Sequence, residues 1–134
     1  MVIDSSALLA ILQDEPERRR FIEAIEAADA RSLSVVNLVE TALVLESRAG
    51  PEAGRALDSF IAKADIELVP VDAEQAAMAR SAYARFGKGR HPAGLNFGDC
   101  FAYALAKVTG DSLLFKGGDF SRTDILVHAT DVDR

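Results

Sequence analysis

Short runs of strand character alternate with helical spans along this chain, and that alternation limits the folds open to it. The runs are Val2-Ile3, Ser32 to Val36, Ile66 to Val71 and Ser112 to Phe115. Between them, apolar residues recur at helical spacing, as in Phe21, Ile22, Ile25 and Ala28, or Ala53, Leu57, Phe60 and Ile61. Antiparallel strands can be joined by a tight turn, whereas parallel strands need a crossover of helix length. The pattern therefore predicts an α/β fold, with a parallel sheet covered by helices on both faces. Ile125 to Ala129 reads as a last edge strand, and Asp131 and Asp133 as part of a polar tail.

Helix boundaries follow from capping chemistry. Asp4-Ser5-Ser6 opens a first helix, although one cap needs only one such residue. Asp14 and Glu17 have capping-box spacing for a second helix, with Pro16 tolerated near its start. Asn37 reads as the N-cap of a helix from Leu38 to Arg48, again with a capping-box partner in Glu40. Gly50-Pro51 stops that helix, and Pro51 to Ala64 forms the next. Asp72 caps a helix from Ala73 to about Phe86, with Ala76, Ala77, Ala79 and Tyr83 as its apolar positions. Asn96-Phe97-Gly98-Asp99 opens the last long helix, and Gly110 ends it.

At 134 residues the length suits one domain, residues 1–134, with room for a hydrophobic core. A net charge of −6 argues against nucleic-acid binding by bulk charge, but leaves open a local basic patch or acids gathered around a cation. The long non-periodic segment from Gly87 to Gly98 is such a patch, holding Lys88, Arg90 and His91 and no acid. The single cysteine, Cys100, cannot form an internal disulfide, which points to a reducing compartment. No apolar run reaches membrane-spanning length, and Asp4 stands where a signal peptide would carry positive charge. A cytoplasmic protein with no membrane contact is expected.

The acids supply the chemistry. Asp4 follows the first strand, Glu40 lies in the first turn of the helix after the second, and Asp119 follows the fourth. An open parallel sheet gathers such positions along the carboxyl edge of its strands, where these folds bind ligands. Asp99 joins them if its helix start reaches the same edge. Each acid also has a plainer reading as a helix-start carboxylate, stabilised by the macrodipole and free N–H groups. For Glu40 that reading is strained by Val36, Leu43 and Val44 as helical neighbours, since a carboxylate against apolar surface is costly without a compensating charge. Four clustered carboxylates with no Cys or His at zinc spacing call for a hard cation, Mg²⁺ or Mn²⁺. The chemistry such a site supports is phosphodiester hydrolysis by an activated water.

Several phrases carry a resemblance. Met1-Val2-Ile3-Asp4-Ser5-Ser6-Ala7-Leu8, the helical Glu40, Gly98-Asp99 leading into Phe101 to Ala106, and Leu113 to Phe120 with Thr123-Asp124 resemble PIN-domain ribonucleases, above all the VapC-type toxins of toxin–antitoxin pairs. The likeness runs from Met1 to about Asp124 and rests on the order and spacing of these phrases together. It implies a three-layer α/β/α sandwich with a mostly parallel central sheet. It also implies Mg²⁺-dependent endoribonuclease activity, a homodimer and a small cognate antitoxin. Asp4, Glu40 and Asp99 match the family's acidic trio as catalytic and metal-binding residues. Ser6 matches a small polar residue that supports the metal site, and Asp119 is the acid left in the turn after the last core strand, where Gly117 and Gly118 carry none. The RNA substrate would be gripped by Lys88, Arg90, Lys116 and Arg122.

Other readings stay open on the sequence. A PIN-like module could bind a partner protein and have lost catalysis, although an intact repulsive cluster speaks against it. A phosphatase-like pocket would place a second aspartate where Ser6 stands, and a receiver-like pocket would put its acceptor at Asp72. Leu8, Leu9, Ile11, Leu12, Phe21 and Ile22 either exceed what one small sheet covers and face a partner, or are all taken by the core.

Overall fold

The computed structural model describes residues 1–128; Ala129, Asp131 and Asp133 lie outside the described residues. Strands β1 (Val2–Ile3), β2 (Ser32–Ser34), β3 (Glu67–Val69) and β4 (Leu113–Leu114) form one sheet in the order β3-β2-β1-β4. Every pairing is parallel. Val127 bridges to Leu113 in parallel, so the expected last edge strand is present as a single bridge among the described residues. The helices are α1 (Ser5–Leu12), α2 (Arg18–Ala27), α3 (Val35–Ala49), α4 (Pro51–Lys63), α5 (Ala73–Phe86) and α6 (Phe97–Thr109). A 3-10 turn at Phe120–Arg122 follows β4.

The sheet divides the core in two because successive strand residues face opposite sides. Val2 and Leu113 pack with Ala79, Ala82, Phe86, Tyr103 and Phe120, beneath α5 and α6. Ile3 and Leu114 pack on the other side with Leu8, Ile11, Phe21, Leu45 and Leu57. This is the expected three-layer α/β/α arrangement. Leu8, Ile11 and Phe21 are fully buried and Leu9, Leu12 and Ile22 partly so, which places the apolar excess of the first two helices in the core.

Several boundaries differ from the sequence reading. Val35 and Val36 are the first turn of α3 rather than the end of β2, and Ser34 is the N-cap, accepting from the Val36 N–H. Asn37 is thus an interior helical residue and Glu40 lies in the second turn, so the pair is no capping box. Beta-branched residues score as strand, but here the hydroxyl of Ser34 starts the helix before them. Asp14 adopts a left-handed backbone (φ 53°) and Glu17 opens α2 without a side-chain cap, so their spacing does not form a box either. The buried face of α5 is Gln75, Ala79, Ala82 and Phe86, leaving Ala76, Ala77 and Tyr83 exposed. Alanine is a poor marker of a buried face, since it suits any helical position. No helix among the described residues is long and apolar enough to cross a membrane.

Candidate active site

The chain leaves β1 toward β2 and β3 on one side and returns to β4 on the other. This makes the carboxyl ends of β1 and β4 the switch point at which open α/β sheets bind ligands. Asp4 follows β1 there. Its Oδ2 accepts from the Ser6 N–H at 2.9 Å and caps α1. Its Oδ1 is buried with no hydrogen-bond partner, in a residue only 2% exposed. Capping therefore explains one oxygen of this carboxylate and leaves the other orphaned. Burial pushes the Asp4 carboxyl up to about 6, and the Glu40 charge adds to the shift.

Glu40 reaches the same edge from α3. Its Oε1 accepts from Ser5 Oγ at 2.6 Å and lies 3.4 Å from Asn37 Nδ2. Asp99 comes from the first turn of α6 within a reciprocal capping box. Asn96 Oδ1 accepts from the Asp99 N–H at 2.9 Å, and Asp99 Oδ2 accepts from the Asn96 N–H at 3.0 Å. Burial pushes the Asp99 carboxyl up to about 7, and the charges of Asp4, Glu40 and Asp119 push it in the same direction. The start of α6 thus does reach the sheet edge. Asp119 is exposed beyond the Gly117-Gly118 turn, within electrostatic range of Asp99. Ser6 Oγ accepts from the Lys116 N–H at 2.9 Å, tying the start of α1 to the segment that carries Asp119.

The basic candidates are less alike than their charges suggest. Lys88 is exposed beside a groove of about 710 Å³ lined by Ala76, Ala79, Tyr83, Phe97 and Phe101, which none of the four acids lines. The Arg90 guanidinium lies 5.6 Å from the Tyr83 ring centre, and Arg122 donates to the Pro92 carbonyl at 3.3 Å. Lys116 Nζ sits 3.0 Å from Glu15 and 3.4 Å from Glu17. The bond to Glu15 is the main cause of its raised pKa. Two carboxylates already neutralise this ammonium, which argues against it as a phosphate contact.

The donor set is all oxygen, and burial first, with neighbouring acidic charges adding to it, raises the Asp4 and Asp99 carboxyls. Together with the orphaned Asp4 Oδ1, these features fit a hard divalent cation. Among the described residues, no three acidic, histidine or cysteine side chains converge closely enough to form a closed ligand set. Ser5 and Asn37 hold Glu40, and Asn96 holds Asp99.

A PIN domain model matches residues 1–126 of the sequence. The chain belongs to the PIN domain family. Within that family it stands with the VapC proteins, being 56% identical over 125 residues to ribonuclease VapC30 of Mycobacterium tuberculosis, across 93% of this chain and 95% of the relative. Solved structures share the fold at low identity. VapC20 of Mycobacterium tuberculosis, described as a sarcin-ricin loop cleaving toxin, superposes with a TM-score of 0.76 at 19% identity, covering 93% of this chain and 95% of that one. A toxin–antitoxin complex from Klebsiella pneumoniae superposes with a TM-score of 0.68 at 16% identity, covering 95% of each.

Sequence reasoning passes over three residues of this PIN domain's acidic edge. Ser5 is hidden among capping candidates, Asn37 falls outside the helix it belongs to, and Gly98 is read as part of a helix opening and of the family's phrase, without its contact to Glu40. Starting α3 at Ser34 reveals the signal, because Asn37, Thr41 and Leu45 then fall on one buried face at four-residue spacing. Cys100 beside Asp99 is buried, and burial first and then the Asp99 charge push its thiol up to about 11. An inert core thiol follows.

Proposed function

We propose that this PIN domain is a metal-dependent endoribonuclease, the cytoplasmic toxin of a toxin–antitoxin pair, hydrolysing RNA phosphodiester bonds at its acidic edge. The observation that carries the chemistry is the buried, unpartnered Asp4 Oδ1, with the charges of Glu40, Asp99 and Asp119 close enough to act on this edge. Kinship with VapC ribonucleases over nearly the whole chain supports the substrate class.

Asp4, Glu40 and Asp99 would hold Mg²⁺ or Mn²⁺ as oxygen ligands, with Asp119 at the rim. When bound, the ion supplies charge neutralisation, a more acidic water and stabilisation of the leaving oxygen. Ser6 joins Asp4's helix start to the Asp119 segment and so limits their relative movement. Asp119, the exposed acid, would take a proton from the attacking water and release it to solvent. Lys88, Arg90 and Arg122 would meet the RNA backbone. A partner is supported by the outer face of α3, where Val39 and Leu43 are 55% and 66% exposed on either side of Glu40. An antitoxin is the occupant we assign to it, in line with the toxin–antitoxin complex that shares this fold. The homodimer rests on family resemblance.

Purified protein freed of antitoxin, incubated with total cellular RNA in Mg²⁺, Mn²⁺ or EDTA beside an Asp99→Asn variant, tests the reading. Discrete fragments that require metal and disappear in the variant are expected. No metal-dependent cleavage by a folded wild-type protein would favour an inactive interaction module.

A further inference from the structure

Asn37 is fully buried, yet it is polar and on the inner face of α3. Its Nδ2 stands 3.1 Å from Ser5 Oγ, 3.1 Å from the Gly98 carbonyl oxygen and 3.4 Å from Glu40 Oε1. Ser5 follows Asp4 directly in the chain, and Gly98 directly precedes Asp99. The partners of this one amide are therefore a candidate ligand and the immediate neighbours of the other two.

The proton count orders these contacts. The amide has two hydrogens. One goes to the Gly98 carbonyl, which can only accept. The other goes to Ser5 Oγ, whose own proton is donated to Glu40 Oε1 at 2.6 Å rather than to the Asn37 carbonyl at 3.3 Å, since a hydrogen bond to a carboxylate is shorter and stronger. A directed chain runs from Asn37 through Ser5 to Glu40, and bonds in such a chain polarise one another. Thr41 Oγ1 donates back to the Asn37 carbonyl at 2.7 Å and buttresses this turn of α3. The arrangement leaves Asn37 Oδ1 buried without a partner. An apolar side chain of similar size would carry no such orphan, so core packing alone does not account for the amide.

We infer that Asn37, acting with Ser5, is a positioning residue that sets the mutual placement of Asp4, Glu40 and Asp99 and thereby the affinity of the acidic edge for a divalent cation. It touches neither substrate nor reacting atoms. The inference rests on the metal-site reading above and adds the group that would pre-organise the site. Outer-shell partners of metal ligands commonly change affinity by about 10–100-fold when removed.

The test is calorimetric titration of the antitoxin-free protein with Mn²⁺, independent of cleavage, alongside thermal melts. Asn37→Leu and Ser5→Ala are each expected to weaken Mn²⁺ binding by about tenfold or more. Their double variant should lose little beyond Asn37→Leu, because both act through one chain. Gln75→Met, a substitution of another buried amide on α5 that bonds the Pro70 carbonyl, is the control for reduced stability and should bind Mn²⁺ like wild type. If Asn37→Leu does not fold, Ser5→Ala decides the matter by the same readout. Wild-type affinity in the folded variants would overturn the inference and leave the metal site standing. Failure of the wild-type protein to bind Mn²⁺ would overturn both.

Discussion

The carboxylate of Glu40 lies directly over the α-carbon of Gly98, in the space that a Cβ at position 98 would occupy. Helix α6 presents no side chain of its own at this point, so the Glu40 carboxylate of α3 packs against its backbone, and the Gly98 carbonyl is held by the Asn37 side-chain amide. The glycine is needed for close approach rather than for an unusual backbone angle. Gly98→Ala is expected to leave the melting temperature nearly unchanged, because alanine improves helix propensity by about 1 kcal/mol while the Glu40 side chain is displaced. Cleavage should fall at least about tenfold, since a small misplacement at a reactive site is costly. A melt paired with a cleavage assay would separate the two effects.

Asp99→Asn should abolish cleavage without unfolding the chain. The amide oxygen can still accept from the Asn96 N–H, so the cap survives, while a half-buried negative charge that acts on Asp4 and Glu40 is removed. The metal-free variant is therefore expected to melt above wild type near neutral pH and to show little stabilisation by Mg²⁺. Asn96→Ala, by contrast, removes the cap and should cost about 1 kcal/mol, measured by urea unfolding.

The metal-free protein should lose stability as pH rises toward neutrality. Asp4 and Asp99 titrate at about 6 and about 7 in the folded chain, above their ordinary value of 3.8. Between these limits the native state holds more protons than the unfolded state, so unfolding becomes easier as pH increases. This contribution is fully present below the ordinary carboxyl range and gone above about pH 7. Melting temperatures near pH 5 should exceed those near pH 7.5 by several degrees, with the gap narrowed by Mg²⁺ and by Asp99→Asn.

Away from the site, Tyr103 Oη donates to Asp124 Oδ1 at 2.6 Å, and Lys107 Nζ lies 3.1 Å from Oδ2 of the same carboxylate. Burial would raise the Asp124 pKa, but Tyr103, Lys107 and Arg85 together lower it. Asp124→Ala leaves a buried phenol short of its acceptor and should destabilise by about 1–3 kcal/mol. Unfolding measurements should show that destabilisation, with metal affinity unchanged.

Lys88 and Arg90 should matter for RNA where Lys116 does not. Replacing Lys88 and Arg90 by alanine should weaken RNA binding and flatten its salt dependence, the slope falling by about 0.7 for each phosphate that the wild-type side chains neutralise. Lys116→Ala, which frees Glu15 and Glu17, should change that slope little. Binding isotherms over a range of salt concentrations would compare them.

The alternation of short strands and helices was enough to predict the parallel sheet and its two helical layers, because period and capping act within a turn or two of the chain. Asp72 and Asn96 cap helices as their neighbours predict, and Gly110 ends α6 in the left-handed conformation. The acidic residues at strand ends could be read the same way, since an open parallel sheet places those ends on one edge. What the sequence left ambiguous was any choice between two local signals. Val35 and Val36 look like strand, yet they follow a serine that caps a helix.

How the acids are held was decided by the packing of distant segments. Ser5 and Asn37 meet across 32 positions of sequence, and Asn37 and Gly98 across 61. Burial of the Asp4 and Asp99 carboxyls, and the capture of Lys116 by Glu15 and Glu17, are likewise products of the tertiary structure. Hydrogen bonding and desolvation at such distances depend on which surfaces the fold brings together, and nothing in the neighbouring residues records that.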